Sequence, residues 1–406
     1  MRAYERLLKY VKVHTTSSEE SGLHPSFKGE FDLANSLKDE LTALGLERAA
    51  VSDNAYVYAY LPATKGYEKA PKLGFIAHMD TSPEASGENV KPVLYENYDG
   101  SDIILEGSKD VLSVDKFPVL KEYIGDTLIT TDGTTLLGAD DKAGIAEIMT
   151  AMETIINENL PHGELRVGFT PDEEIGEGAD FFDVKGFDAD FAYTVDGAEV
   201  NALEYENFNA ASAEITIKGV SVHPGSAKDI MVNASNVAME LHSLLPVNER
   251  PEHTDGYDGF FHLTGITGQT SKATLSYIIR DHNMDLFNKK KEVITNAVKT
   301  INEKYGEGTV VMDLKDSYYN MLEQIKPHMH LIENAHKAIQ AAGLNPIDVP
   351  IRGGTDGARL SYEGLPCPNL GTGGANFHGN YEVCGVEKMD KAVQIILNLV
   401  KIYSEK

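Results

Sequence analysis

Leu73-Gly74-Phe75-Ile76-Ala77-His78-Met79-Asp80 is an apolar run that gives way to two polar residues, His78 and Asp80. Apolar residues without alternation suit a strand covered on both faces, as in the sheets of α/β proteins. Two further runs, at 165–170 and 191–195, are equally short and are bounded by Gly, Pro or Asp. Between the first two runs, residues 141–156 carry Ala143, Ile145, Ala146, Ile148, Met149 and Met152, the pattern of a largely buried helix. Upstream, Phe31, Ala34, Leu37, Leu41 and Leu44 recur at helical spacing over 27–44, and Gly45 is placed to stop that helix. Strand alternating with helix predicts an α/β fold with a mixed central sheet flanked by helices.

The pattern changes near residue 213. Ala213-Glu214-Ile215-Thr216-Ile217-Lys218 alternates cleanly, as a strand with one solvated face does. A helix is expected over 233–245, strands over 259–267 and 272–280, a long helix over 285–305 and a last strand over 309–315. The order βαββαβ is that of a four-stranded antiparallel sheet with two helices on one side. An inserted α+β domain is therefore expected at 208–320, leaving 1–207 and 321–406 as a discontinuous first domain. At 406 residues the chain is longer than the roughly 250–300 that one hydrophobic core usually serves. A final helix carries Met389, Ala392, Val393, Ile396, Leu399, Val400 and Tyr403 on one stripe.

The formal charge of −27 argues against nucleic acid or an anionic membrane as partner, because both repel an acidic surface. The apolar segment 393–400 is broken by Gln394 and Asn398 and falls short of the roughly 20 residues a membrane span needs. The N-terminal residues lack the apolar core of a secretory signal. Two cysteines, Cys367 and Cys384, make no disulfide framework in so long a chain and read as buried free thiols. A cytoplasmic location is expected.

Polar residues collect where the apolar runs end. His78 and Asp80 lie two positions apart and so point to one side of an extended chain. A metal-bound imidazole commonly donates its second nitrogen to a carboxylate, and Asp80 is placed for that; a solvated strand end before the turn Thr81-Ser82-Pro83 is the plainer alternative. In Gly138-Ala139-Asp140-Asp141-Lys142-Ala143-Gly144 two aspartates stand at a helix start, where one can cap but two are redundant. Thr170-Pro171-Asp172-Glu173-Glu174-Ile175-Gly176-Glu177-Gly178 packs acids directly after a strand, and Asp196 ends the run 191–195. His378 lies in a loop too rich in glycine to be core, Gly371-Thr372-Gly373-Gly374-Ala375-Asn376-Phe377-His378-Gly379. Ligands of open α/β sheets bind beyond the carboxyl ends of the strands, so these groups are candidates to converge.

Five converging carboxylates without cations repel one another or take up protons. Two divalent ions remove the conflict. If Asp140 bridges both, His78 and Asp196 complete one site and Glu174 and His378 the other, three protein ligands each with a position left for water. Three ligand carboxylates against two divalent cations leave one positive charge, which a bridging hydroxide cancels. A neighbouring carboxylate then serves as general base, and the sequence by itself leaves open which of Glu173 and Glu174 is ligand and which is base.

The set HxD, GADDKAG, PDEEIGEG, a strand-end Asp and a late loop His resembles the M20 metallopeptidase family, within it the tripeptide aminopeptidases. The likeness runs through Ser82-Pro83-Glu84-Ala85-Ser86-Gly87, Glu204-Tyr205-Glu206-Asn207-Phe208, Ile278-Ile279-Arg280-Asp281 and Ile351-Arg352-Gly353-Gly354-Thr355-Asp356-Gly357, and covers essentially the whole chain. It implies two zinc ions per subunit held by His78, Asp140, Glu174, Asp196 and His378, bridged by Asp140 and a water or hydroxide. It further implies Asp80 orienting His78, Glu173 as the general base, and a cis peptide between Asp140 and Asp141. The inserted domain corresponds to the family's lid. Its Gly219-Val220-Ser221-Val222-His223-Pro224-Gly225 implies that His223 meets a developing oxyanion, with a plain turn histidine as the alternative. Arg280 and Arg352 are candidates to bind a substrate carboxylate as bidentate forks, with structural pairing as the alternative for both. The implied activity is hydrolysis of the N-terminal peptide bond of a small peptide, with a homodimer left open.

Overall fold

The computed structural model describes residues 1–405 as two compact units. The first comprises Met1–Tyr205, Met321–Val349 and Thr355–Lys406, the last residue of which lies outside the description; the second comprises Glu206–Asn320 and Pro350–Gly354. The second unit thus begins two residues before the expected insert and recruits a short later segment that carries Arg352.

An eight-stranded mixed sheet organises the first unit, in the order Glu47–Val51, Val57–Leu61, Leu165–Thr170, Leu73–His78, Phe191–Gly197, Asn369–Gly371, Ala202–Glu204, Ile347–Asp348. Its centre is parallel: Leu73–His78 pairs with Leu165–Thr170 on one side and Phe191–Gly197 on the other, and the latter with Asn369–Gly371. All six residues of Leu73–His78 are buried, which explains why that segment shows no alternation. The helix Ala139–Asn157 buries nearly its whole first half. The helix Gly29–Leu44 ends at Gly45, whose φ of 100° no β-carbon tolerates easily and whose N–H closes the last turn on Leu41 and Thr42.

A second sheet in this unit has no clear forecast in the sequence. Its strands are Gly374–Ala375, Val383–Gly385, Leu128–Thr131 and Pro92–Tyr95, in that order. They are two to four residues long, too short for a periodicity. The last helix, Val386–Ser404, buries the stripe read from the sequence.

The second unit is a four-stranded antiparallel sheet, Phe260–Gly268, Lys272–Asp281, Asn209–Lys218, Val310–Tyr318, as the alternation predicts. Ala211, Ala213, Ile215 and Ile217 share one face with Ala273, Leu275, Tyr277 and Ile279. That face packs against Val237, Ala238 and Leu241 of the helix Ala234–Ser243 and Phe287, Ile294 and Ile301 of the helix Met284–Tyr305. Each fully buried large aliphatic or aromatic side chain contributes roughly 1.5–3 kcal/mol. Both cysteines are buried and free.

Candidate metal centre

Strand polarity brings the acidic groups together. In the parallel pair His78 stands opposite Thr170, so the chain leaves both strands at one level and enters 79–81 and 171–174 side by side. Phe191–Gly197 runs in the same direction and ends with Asp196, and Asn369–Gly371 leads into the loop that carries His378. The start of the helix Ala139–Asn157 reaches the same level, where Asp140 and Asp141 depart from helical geometry and are joined by a cis peptide.

Asp140 is the hub. Its Oδ1 lies 2.9 Å from His78 Nε2, and its Oδ2 lies 3.2 Å from His378 Nε2. Beside the first contact, Asp196 Oδ1 is 3.3 Å from His78 Nε2; beside the second, Glu174 Oε2 is 2.9 Å from His378 Nε2. One carboxylate thus presents each oxygen to a different histidine–carboxylate pair. Neighbouring ligand atoms on a tetrahedral zinc, with bonds of about 2.0–2.2 Å, stand about 3.3 Å apart. The donor spacing and the imidazole–carboxylate chemistry both fit such an ion. Among the described residues, His78 with Asp140 and Glu174, and His78 with Asp141 and Asp196, form groups able to hold a metal.

The protonation pattern registers the same demand for positive charge. Burial works against a charged His78, yet Asp196, Asp140 and Asp80 raise its pKa well above the usual value. Bonds to Asp140 and Glu174 raise His378 to about 11. Burial pushes Glu174 up to about 7, and burial together with neighbouring acids raises Asp196, Asp141 and Glu173. Asp140 alone falls below its ordinary value, because the two imidazoles outweigh its burial. The raised acids and raised imidazoles are the signature of a cluster whose negative charge a bound cation would neutralise.

Asp80 does more than face His78. Its Oδ1 is 3.3 Å from His78 Nδ1, whose closer partner is the Asp80 carbonyl at 3.1 Å. The two carboxylate oxygens accept the N–H groups of Glu173 (2.9 Å) and Glu174 (3.1 Å), so Asp80 holds the backbone of the loop that bears both. Glu173 Oε2 stands 4.0 Å from His78 Nε2, at the margin of the cluster. Asp141 caps the regular part of its helix by accepting the Gly144 N–H, and its other oxygen accepts the His78 N–H, both at 3.2 Å. The helix-cap reading of this residue and a place beside the metal site therefore coexist. His378 and Asp172 both adopt left-handed backbone, φ 63° and 57°, a conformation uncommon outside glycine.

Several further acids, buried or half-buried around the cluster, were not among the candidate site residues read from the sequence. Glu204 accepts a long bond from Asn369 and is pushed to about 8 by burial and by Asp196. Asp356, 5% exposed, is raised to about 7, first by burial and then by Asp196 and Asp80. Glu30, wholly buried, accepts N–H groups from Phe27 (3.2 Å) and Asp172 (3.1 Å). On the same loop His24 Nδ1 sits 3.1 Å from Asp172 and 3.6 Å from Glu177, an acid–histidine group that ties the segment 24–30 to the acidic loop.

His223, Arg280 and Arg352 lie in the second unit. Exposed His223 accepts the Gly225 N–H on Nδ1, which makes it a turn histidine and leaves the proton on Nε2. The Arg352 guanidinium donates to the carbonyls of Gly256, Asp258 and Thr254 and to Thr254 Oγ1, a structural use in place of a free fork. Arg280 donates Nη1 to the Arg352 carbonyl, while its buried Nε has no hydrogen-bond partner among the described residues.

Residues 205–309 match the model of a peptidase dimerisation domain. The chain is 56% identical over 404 residues to peptidase T of Alkaliphilus oremlandii, covering 99% of both chains. Its fold is that of a tripeptidase from Staphylococcus aureus, with a TM-score of 0.80 at 22% identity over 100% of this chain and 98% of the other. A dinuclear metal-binding peptidase of the M20 family from Bacillus subtilis shares the fold at a TM-score of 0.66 and 16% identity, over 100% and 99% of the two chains.

Proposed function

The chain belongs to the peptidase T family of M20 peptidases, and on that premise we propose that it is a zinc-dependent aminopeptidase that cleaves the N-terminal peptide bond of tripeptides. The observation that carries the reading is the division of Asp140, one oxygen toward His78 and Asp196, the other toward His378 and Glu174. In this reading the five side chains would hold two zinc ions, which would supply Lewis acidity and lower the pKa of a bound water from 15.7 to about 7. Asp80 keeps the loop of Glu173 and Glu174 at fixed distance from His78 through the two backbone bonds. Glu173 takes the proton of the attacking water on its carboxylate and returns it to the leaving amine nitrogen, the work of a general base turned acid.

We assign His223 to the developing oxyanion, through Nε2–H, and Arg280 to the substrate carboxylate. Arg352 is assigned to holding the 254–258 segment, not to the substrate, because its donors are already committed. We also propose a homodimer, on the strength of the dimerisation-domain match, and a cytoplasmic location. No helix among the described residues is long and apolar enough to cross a membrane.

The test is hydrolysis of Leu-Gly-Gly by the zinc-loaded chain beside an N-acetyl amino acid. Release of free leucine, lost on chelation and in Glu173→Ala, is the expected result. An intact tripeptide beside a cleaved N-acetyl amino acid would assign a different M20 reaction. Light scattering of the purified chain reads the oligomeric state directly.

A further inference from the structure

The start of the helix Ala139–Asn157 poses a hydrogen-bonding problem. The first N–H groups of a helix have no partner within it, and the residue in the cap position here is Gly138, which has no side chain to offer. Leu137 and Gly138, just ahead of the helix, are buried, so their amides need partners too. The solution comes from 242 residues further along the chain. Glu382, 1% exposed, accepts the Leu137 and Gly138 N–H groups on Oε2, both at 2.7 Å, and the Asp140 N–H on Oε1 at 3.0 Å.

Glu382 follows His378 by four residues, and its own N–H closes a turn on the Gly379 carbonyl at 3.1 Å. One carboxylate therefore fixes the backbone of Asp140 and anchors the turn that leads out of the His378 loop. The side chains of those two residues meet at 3.2 Å between Asp140 Oδ2 and His378 Nε2. We propose that Glu382 is a positioning residue for the half of the metal centre formed by Asp140, His378 and Glu174. It sets the separation of Asp140 Oδ2 and His378 Nε2, and so the affinity for the ion they share, without touching that ion or the substrate. The other half, His78 and Asp196, sits on two adjoining strand ends and depends on Glu382 only through Asp140.

The proposal rests on the two-ion reading above, and the experiment separates the two. Co2+ is titrated into the metal-free full-length chain, as native protein, Glu382→Gln and Glu382→Ala, with stoichiometry and affinity read by calorimetry and coordination by the visible d–d absorption. Far-UV circular dichroism checks the fold of each variant. In the native chain two ions bind. Loss of a partner behind a ligand typically costs 10–100-fold in metal affinity, and a loss of about that size is expected for one of the two ions in Glu382→Ala, with a changed absorption band. Glu382→Gln keeps one acceptor oxygen and lies between native and Ala.

Two native-like affinities and an unchanged spectrum in a folded Ala variant would overturn the role assigned to Glu382. Equal weakening of both ions would overturn it as well. If Glu382→Ala does not fold, Glu382→Gln decides by the same criteria. A native chain that binds one Co2+ or none sinks the two-ion reading itself, whatever the variants do.

Discussion

Glu30→Gln is expected to gain stability over the native metal-free chain as pH rises. Glu30 has no exposed surface, and burial, aided by Asp80 and Asp172, pushes its carboxyl up to about 10 from an ordinary value of 4.5. It is therefore neutral in the folded chain at pH 7 and ionised in the unfolded one. A group with a raised folded pKa lends its full stability only below the unfolded pKa, near 4.5, and loses it as pH climbs toward 10. Each pH unit in that window costs about 1.36 kcal/mol, so holding Glu30 neutral at pH 7 costs about 3 kcal/mol. Glutamine is neutral at every pH and keeps one oxygen for the Phe27 or Asp172 N–H; the mismatch of its NH2 with the other costs about 1–3 kcal/mol independently of pH. These two terms oppose each other and only the first depends on pH, so the slope is the measurement. Urea unfolding of native and variant chains, followed by far-UV circular dichroism between pH 5 and 8, should show the difference moving by about 4 kcal/mol in favour of the variant. A difference that stays constant across that range would refute the assignment of a buried neutral carboxyl beneath the Asp172–Glu174 loop.

Other outcomes follow from the same geometry. Metal ligation needs neutral imidazoles and ionised carboxylates, and His78, His378 and Glu174 are all raised, the last two to about 11 and about 7, so metal uptake at pH 7 should release at least about two protons. Calorimetry in two buffers of different ionisation enthalpy reads that number, and the apparent affinity should rise with pH; buffer-independent heats would contradict it. The same raised His378 stabilises the metal-free fold below about pH 6.5, a contribution lost as pH rises through its folded pKa. Gly144→Ala would place a methyl group 1.8 Å from the Val195 carbonyl and 2.5 Å from Asp141 Oδ1, so helix and strand must separate next to Asp196. A loss of roughly 1–3 kcal/mol or more is expected, with weaker metal binding, read as a lower melting temperature and a lower Co2+ affinity. Arg280→Ala should raise KM for tripeptides with little change in melting temperature, whereas Arg352→Ala should chiefly lower the melting temperature by freeing the carbonyls of Thr254, Gly256 and Asp258.

Local pattern was enough to read the core of the main sheet and the four-stranded antiparallel sheet. A strand buried on both faces shows an uninterrupted apolar run, as 73–78 does, and a sheet with one covered face shows alternation, as 213–218 does; both follow from near-neighbour geometry that sequence spacing reports directly. Strand polarity carries over too, which is why acids placed after parallel strands could be expected to share one end of the sheet. Tertiary structure alone decided how those acids divide their work. That Asp80 carries the amides of Glu173 and Glu174, that Asp141 holds the His78 N–H besides capping its own helix, and that Arg352 is committed to a loop are facts about contacts 63 to 96 residues apart. The short strands of the second sheet, the buried acids Glu30, Asp356 and Glu382 and the half-buried Glu204 likewise have no periodicity to announce them. The reason is physical: an acid in a loop looks the same in sequence whether it is solvated or desolvated. Only the packing around it sets its dielectric, its partners and hence its charge.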